Sequence, residues 1–319
     1  MLSGHTDCVP VVGQPWTRDP FALHRTDDGL LYGRGVTDMK GYLAVVLAAL
    51  PRMVDAGLQR PILLAFSYDE EIGTVGAPSL VERLVATQPR PGAVVIGEPT
   101  SMEVVTAHKG VRAFTTIVHG RDAHSSQPQK AANAVAAAAR IATHLDDLAR
   151  RHEVAAADPR FDPPHTTFNV ATISGGQAIN IVPRRCELTW EYRPVPADDS
   201  EAILDEVRRF TEQEVLPLLQ RGSGDGRVEF QVDAMARALA DEDGGPAETL
   251  CRDLAGYAGP ARTVAFGTDG GHFQAAGLST AICGPGSIDQ AHIADEWVEV
   301  AQLQAAEHVV DGLIERLAT

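Results

Sequence analysis

Basic residues are in short supply: 27 lysines and arginines stand against 43 aspartates and glutamates, a formal charge of -16 over 319 residues. Such a surface repels phosphate backbones and anionic lipid, so nucleic acid and membranes are not expected partners. Long apolar runs are also missing. The longest spans residues 43–50, far too short to cross a bilayer. The four cysteines, Cys8, Cys186, Cys251 and Cys283, form no C-x-x-C pair, and no basic segment followed by an apolar core opens the chain. Together these absences predict free thiols and a cytoplasmic protein. G-x-G-x-x-G, G-x-x-x-x-G-K-[ST] and G-x-S-x-G are all absent, which removes support for nucleotide binding and for a serine hydrolase elbow.

What is present is an ordinary globular composition, 44% hydrophobic and 22% charged, at a length that favours two domains. Over the first hundred residues strand-like and helix-like runs alternate: a helix over 39–54, a buried strand over 61–67, a helix over 80–86 and a buried strand over 93–96. After Lys109 and Gly110 the pattern changes to alternating strands at 113–118, 168–173 and 186–193, with helices at 131–150 and 200–218. From about residue 236 the first style returns, with helices at 246–255 and from 298, and strands at 261–266 and 279–283. The expected fold is α/β, a mostly parallel sheet flanked by helices with an inserted α+β domain. Its parts are a first segment (1–109), the insert (110–234) and a second segment (235–319) that completes the first domain. Met1 stands almost inside the first strand, which predicts either a vulnerable sheet edge there or N-terminal sequence missing from the chain.

His5, Asp7, Asp38, Glu70, Glu71, Glu98 and His292 lie close to these apolar runs, most of them just after one. In open α/β sheets ligands bind beyond the carboxyl ends of the strands, so such groups converge without any local motif. Two histidines among several carboxylates suit a pair of divalent ions, zinc first, with cobalt or manganese as alternatives. His5 and Asp7 share a face of an extended segment, which lets the carboxylate hold the second imidazole nitrogen. Asp38 precedes a helix and competes with a plain N-cap reading. Adjacent Glu70 and Glu71 cannot point the same way on extended backbone, so one binds metal while the other remains free as general base. His24, His144, His152, His165 and His308 lack such company and are expected at the surface.

GHTDCVP, GRGVTDMKG, SYDEEIGTVGA, GEPTSMEVVTAHKG, RDAHSSQP and CGPGSIDQAH, in this order, resemble the dinuclear zinc family of acetylornithine deacetylase and succinyl-diaminopimelate desuccinylase, which also holds aminoacylases and glutamate-type carboxypeptidases. The resemblance covers nearly the whole chain, and GEPTS, AHKG and GPGSIDQAH are most similar to the acetylornithine deacetylase branch. It implies a zinc-peptidase type of fold in which Asp38 bridges two ions, His5 and Glu98 hold one, and Glu71 and His292 hold the other. Glu70 is then the general base and Asp7 the partner of His5. It further implies that residues 110–234 form a lid that joins two copies as a homodimer, carrying His124 toward the other subunit's site, with Asn180 and Arg193 holding the substrate carboxylate. The implied reaction is hydrolysis of a small N-acyl amino acid, N2-acetylornithine to ornithine and acetate in arginine biosynthesis. A desuccinylase, aminoacylase or dipeptidase is the alternative, as is an inactive metal-binding dimerisation protein if the chain is truncated. The family usually has several tens of residues before the GHTD strand, and a misassigned start codon is the preferred account of their absence.

Overall fold

The computed structural model describes residues 1–155, 158–221 and 224–318. The chain divides into two compact units, Met1–His108 with Ala236–Thr319, and Lys109–Met235.

The first unit is built on a six-stranded mixed sheet ordered β11-β6-β12-β5-β1-β4. Its strands are β1 (Leu2–His5), β4 (Leu64–Ser67), β5 (Val94–Ile96), β6 (Val105–His108), β11 (Arg262–Val264) and β12 (Thr280–Ile282). β4, β1, β5 and β12 run parallel, while β6 meets β12 antiparallel and pairs parallel with β11. Both faces are covered, and this explains the unbroken apolar runs of the central strands. Val95 and Ala281 point into a core shared with α1 (Lys40–Ala48), α2 (Leu50–Asp55), α7 (Pro246–Ala255) and α9 (Val300–Ala318). Val94, Ile96 and Ile282 point the other way, onto Val81 and Leu84 of α3 (Ala77–Thr87) and Phe273 of α8 (Gly270–Ala275). One-residue steps thus feed two opposite cores. β1 is an interior strand between β5 and β4, which corrects the expectation of a sheet edge there. A small antiparallel sheet of β2 (His24–Arg25), β3 (Leu30–Tyr32) and β13 (Trp297–Glu299) completes the unit.

The second unit is a four-stranded antiparallel sheet ordered β10-β7-β9-β8, from β7 (Val111–His119), β8 (Thr167–Gly175), β9 (Arg185–Arg193) and β10 (Arg227–Ala236). Along β9 every second residue, Cys186, Leu188, Trp190 and Tyr192, is buried, as a sheet with one covered face requires. That face packs on α4 (Ala134–Ala155), whose Ala134, Ala137, Ala138, Ile141, Leu145 and Leu148 repeat at helical spacing. α5 (Ser200–Phe210) is capped by Asp199, which accepts from the Glu201 and Ala202 N–H groups.

Two expected helices are interrupted. Residues 39–54 form α1 and α2 rather than one helix, the break lying beside Pro51, whose missing N–H cannot continue the ladder. Residues 200–218 pass from α5 through a π turn at Thr211–Val215 into α6 (Leu216–Gln220), with Pro217 at its start for the same reason. His144, His152 and His165 are half-buried rather than surface residues. His144 stacks on Phe210 with ring centroids 3.9 Å apart, and His152 Nδ1 lies 3.1 Å from Asp198. All four cysteines are free thiols. Among the described residues no helix is long and apolar enough to cross a membrane.

Candidate metal centre

Four of the parallel strands deliver side chains to one rim of the first unit's sheet. His5 ends β1, Glu70 and Glu71 follow β4, Glu98 follows β5, and His292 lies beyond β12; Asp38 arrives from the turn before α1. Close packing fixes the Glu98 turn. A Cβ on Gly97 would fall 2.2 Å from the Tyr42 ring, and one on Gly284 would lie 2.1 Å from the Gly97 carbonyl oxygen. Only glycine permits both approaches.

Asp38 stands at the middle. Its Oδ1 lies 2.9 Å from His5 Nε2 and its Oδ2 lies 3.0 Å from His292 Nε2. Glu98 Oε1 is 3.6 Å from His5 Nε2, and Glu71 Oε2 is 3.1 Å from His292 Nε2. Two triads result, His5–Asp38–Glu98 and Asp38–Glu71–His292, each with donor atoms within 4.8 Å of one another. They share one carboxylate and use opposite oxygens of it. Asp7 sits behind them: its carboxylate lies 3.5 Å from His5 Nδ1 and accepts the backbone N–H of Glu70 at 3.2 Å and of Glu71 at 3.0 Å.

Electrostatics at this rim are those of an excess of acid. Burial pushes the Glu98 carboxyl well up, reinforced by Asp38 and by Glu70 and Glu71. Glu70 is raised in the same way, by desolvation first and then by Asp269, Asp38 and Glu71, although the residue as a whole is only half-buried. Burial opposes charge on His5, yet Glu98 and the bonds to Asp38 and Asp7 outweigh it and drive its pKa upward. Hydrogen bonds to Asp38 and Glu71 raise His292 to about 10 against partial burial. Desolvation works against ionised Asp7, but His5 and the two backbone donors bring it down to about 2. Buried carboxylates that repel one another, with only two imidazoles to offset them, fit divalent cations, and the mixed N/O donor set suits zinc-like ions.

The structure therefore brings together His5, Asp7, Asp38, Glu70, Glu71, Glu98 and His292. His124, Asn180 and Arg193 belong to the second unit. There His124 is exposed, with Nδ1 2.8 Å from Ser126 Oγ, and it forms a bridge to Ile181; the Ser125 N–H donates to the Asn180 carbonyl at 2.9 Å. Arg193 ends β9 and pairs with Glu191 at 3.2 Å.

Two groups near the rim carry no signal that sequence reading used. Asp269, just before α8, is buried, with Oδ2 accepting from Ser67 Oγ at 2.6 Å and Oδ1 without a hydrogen-bond partner among the described residues. Glu296, just before β13, is fully buried and bonds the turn that carries Asp38. Asp269 is an isolated acid in sequence, whereas Glu296 directly follows Asp295. The proximity of Glu296 to His292 in the chain is the one hint that was available.

The sequence profile of the peptidase family M20/M25/M40 matches residues 1–316, and the chain belongs to that family. It is 32% identical over 316 residues to an acetylornithine deacetylase of Proteus mirabilis, covering 99% of this chain and 78% of that protein. Among solved structures it is similar to an M20 family metallo-carboxypeptidase of Sulfolobus solfataricus, with a TM-score of 0.72 at 18% identity, covering 99% of this chain and 84% of that one. It also resembles a dinuclear metal-binding peptidase of the M20 family from Bacillus subtilis, with a TM-score of 0.64 at 17% identity, covering 99% and 80%. The chain is thus an α/β protein of a hydrolase family, with candidate metal-binding groups gathered at one rim.

Proposed function

We propose that the chain hydrolyses the amide bond of a small N-acyl amino acid with the help of two divalent cations, zinc or cobalt, and that N2-acetylornithine is the substrate to test first. The observation that carries this reading is Asp38, whose two oxygens face His5 and His292 in separate donor triads, with Glu70 beside Glu71 at the same rim. The name of the Proteus mirabilis relative supports the choice of substrate.

His5 and Glu98 would hold one ion and Glu71 and His292 the other, with Asp38 serving both triads. When bound, the ions supply Lewis-acid polarisation of the scissile carbonyl and make a water acidic enough to attack. Glu70 takes the proton of that water and hands it to the departing amine nitrogen. Its raised pKa, caused first by desolvation, suits a carboxyl that must carry a proton in transit. Asp7 fixes the orientation of His5 and, through the Glu70 and Glu71 N–H groups, the turn that presents both acids. Water adds to the carbonyl carbon, the C–N bond breaks, and a carboxylic acid and a free amine leave.

The second unit acts as the lid and the dimer contact. Among the described residues β8 is an edge strand, paired with β9 alone, and its last seven residues are exposed. Such an edge favours pairing with a second copy. His124 from the partner copy donates to the carbonyl oxygen, while Asn180 and Arg193 hold the substrate carboxylate.

Membership of a peptidase family favours a second reading, hydrolysis of a dipeptide by the same groups. A ninhydrin assay of metal-reconstituted protein against N2-acetylornithine, N-succinyl-diaminopimelate, N-acetylmethionine and several dipeptides separates the two. Preference for N2-acetylornithine supports the deacetylase. Turnover of dipeptides alone rejects it.

A further inference from the structure

The carboxylate of Glu296 has no surface exposure, and every one of its acceptor positions is filled. Oε2 accepts from Arg34 Nη1 at 2.6 Å and from the Gly35 N–H at 2.9 Å. Oε1 accepts from the Thr37 N–H at 2.9 Å and from the Asp38 N–H at 3.1 Å. A carboxylate so occupied cannot serve as a metal ligand or a base. What it does is gather the whole turn 34–38 around one point, ending on the backbone of Asp38 itself.

The same carboxylate is tied to the other side of the site. Glu296 lies four residues beyond His292, and its own carbonyl accepts the Gly33 N–H at 3.1 Å. Gln14 closes the circuit: its amide oxygen accepts from Arg34, and its amide nitrogen donates to the His292 carbonyl at 2.7 Å. The Arg34 guanidinium is held in addition over the Trp16 ring, 5.0 Å from its centroid. A buried ion pair of this kind is a weak source of stability, since desolvating both charges offsets much of their attraction. Its saturated hydrogen bonding instead fixes geometry.

The geometry points to Glu296 as a positioning residue that sets the spacing between Asp38 and His292, and so the affinity of the site they share; this rests on the metal-centre reading above. Glu296→Gln retains the shape but exchanges one oxygen for an NH2 group. Arg34, being charged, keeps the remaining oxygen. The amide nitrogen then faces the Thr37 and Asp38 N–H groups, donor against donor, and the Asp38 backbone is released.

The test titrates the metal-free full chain with Co2+, read by calorimetry and by visible absorption, and compares kcat with KM. The parent is expected to take up two equivalents. Glu296→Gln is expected to bind one at close to parental affinity and the second about 10- to 100-fold more weakly, the usual effect of losing a partner that orients a ligand. The visible spectrum of the second equivalent should change, and kcat should fall by at least about tenfold with KM within about twofold of the parent. A merely structural role would lower the unfolding temperature without altering the spectrum or splitting the two affinities. If Glu296→Gln does not fold, Glu296→Asp, which keeps the charge but falls short of one pair of donors, takes the same measurements. Two equal parental affinities in either variant overturn the inference while leaving the metal centre standing, and so does failure of both variants to fold. A parent that binds no Co2+ removes the metal centre and this inference with it.

Discussion

Asp38 Oδ2 lies 3.0 Å from His292 Nε2, although nearly the whole chain separates the two residues. The other oxygen of the same carboxylate meets His5 at 2.9 Å. A single side chain therefore couples the first strand of the fold to a loop near its last helix. Asp38→Asn leaves the shape and removes the charge that both triads share. Metal analysis after dialysis is expected to find the parent with two ions and the variant with one or none, its affinity lowered at least about a hundredfold, the upper end of what loss of an outer partner costs. Two tightly held ions in Asp38→Asn would refute the bridging role.

Glu70 is the proposed proton carrier and belongs to neither triad. Glu70→Gln should lower kcat by about 10²- to 10⁴-fold, the range for loss of a general acid–base group, with metal content unchanged. Activity near the parent's, measured with metal content matched, would remove Glu70 as the base.

His292 gives the metal-free protein a pH dependence of definite sign. Its folded-state pKa, raised to about 10 by Asp38 and Glu71, lies above the ordinary value of 6.5. The protonated ring thus stabilises the fold fully below about pH 6.5, and that stabilisation is lost as pH rises through about 10. Because the side chain is 48% exposed, solvent screening leaves a contribution of about 1 kcal/mol. Thermal unfolding of metal-free protein should show a higher midpoint at pH 6 than at pH 10, and His292→Gln should shrink that difference. An unchanged difference in the variant would show that other groups set it. Metal affinity should run the opposite way, rising with pH as binding displaces the ring proton.

The exposed edge strand β8 bears on assembly. Sedimentation is expected to give a particle of about twice the 34.0 kDa chain mass. Proline at Thr172, a residue paired with Thr189 on β9, would disturb the edge and shift the particle toward the monomer. A parent that sediments as a monomer at micromolar concentration rejects the lid as a dimer contact.

Much of the fold can be read along the chain. Residues 93–96 and 279–283 are short apolar runs, and they form β5 and β12 in the middle of the sheet, where both faces are covered. Acids placed just after such runs indicated a rim of carboxylates. β6 was missed because its run, Val-Thr-Ala-His, contains two polar residues yet is buried throughout. Thr106 and His108 are accommodated in the interior, and no alternation marks the strand.

The sequence alone determined which segments are apolar enough to be strands, which residues can donate to a cation, and the order in which they arrive. Only the tertiary structure decided that His5 and His292 reach the same carboxylate and that Glu296 holds the turn beneath it. The physical reason is that strand order in a sheet is non-local: β1 lies between β5 and β4 because their exposed backbone groups and apolar faces match, and no sequence spacing encodes that adjacency. A glutamate looks the same in sequence whether it faces water or, like Glu296, saturates four buried N–H groups.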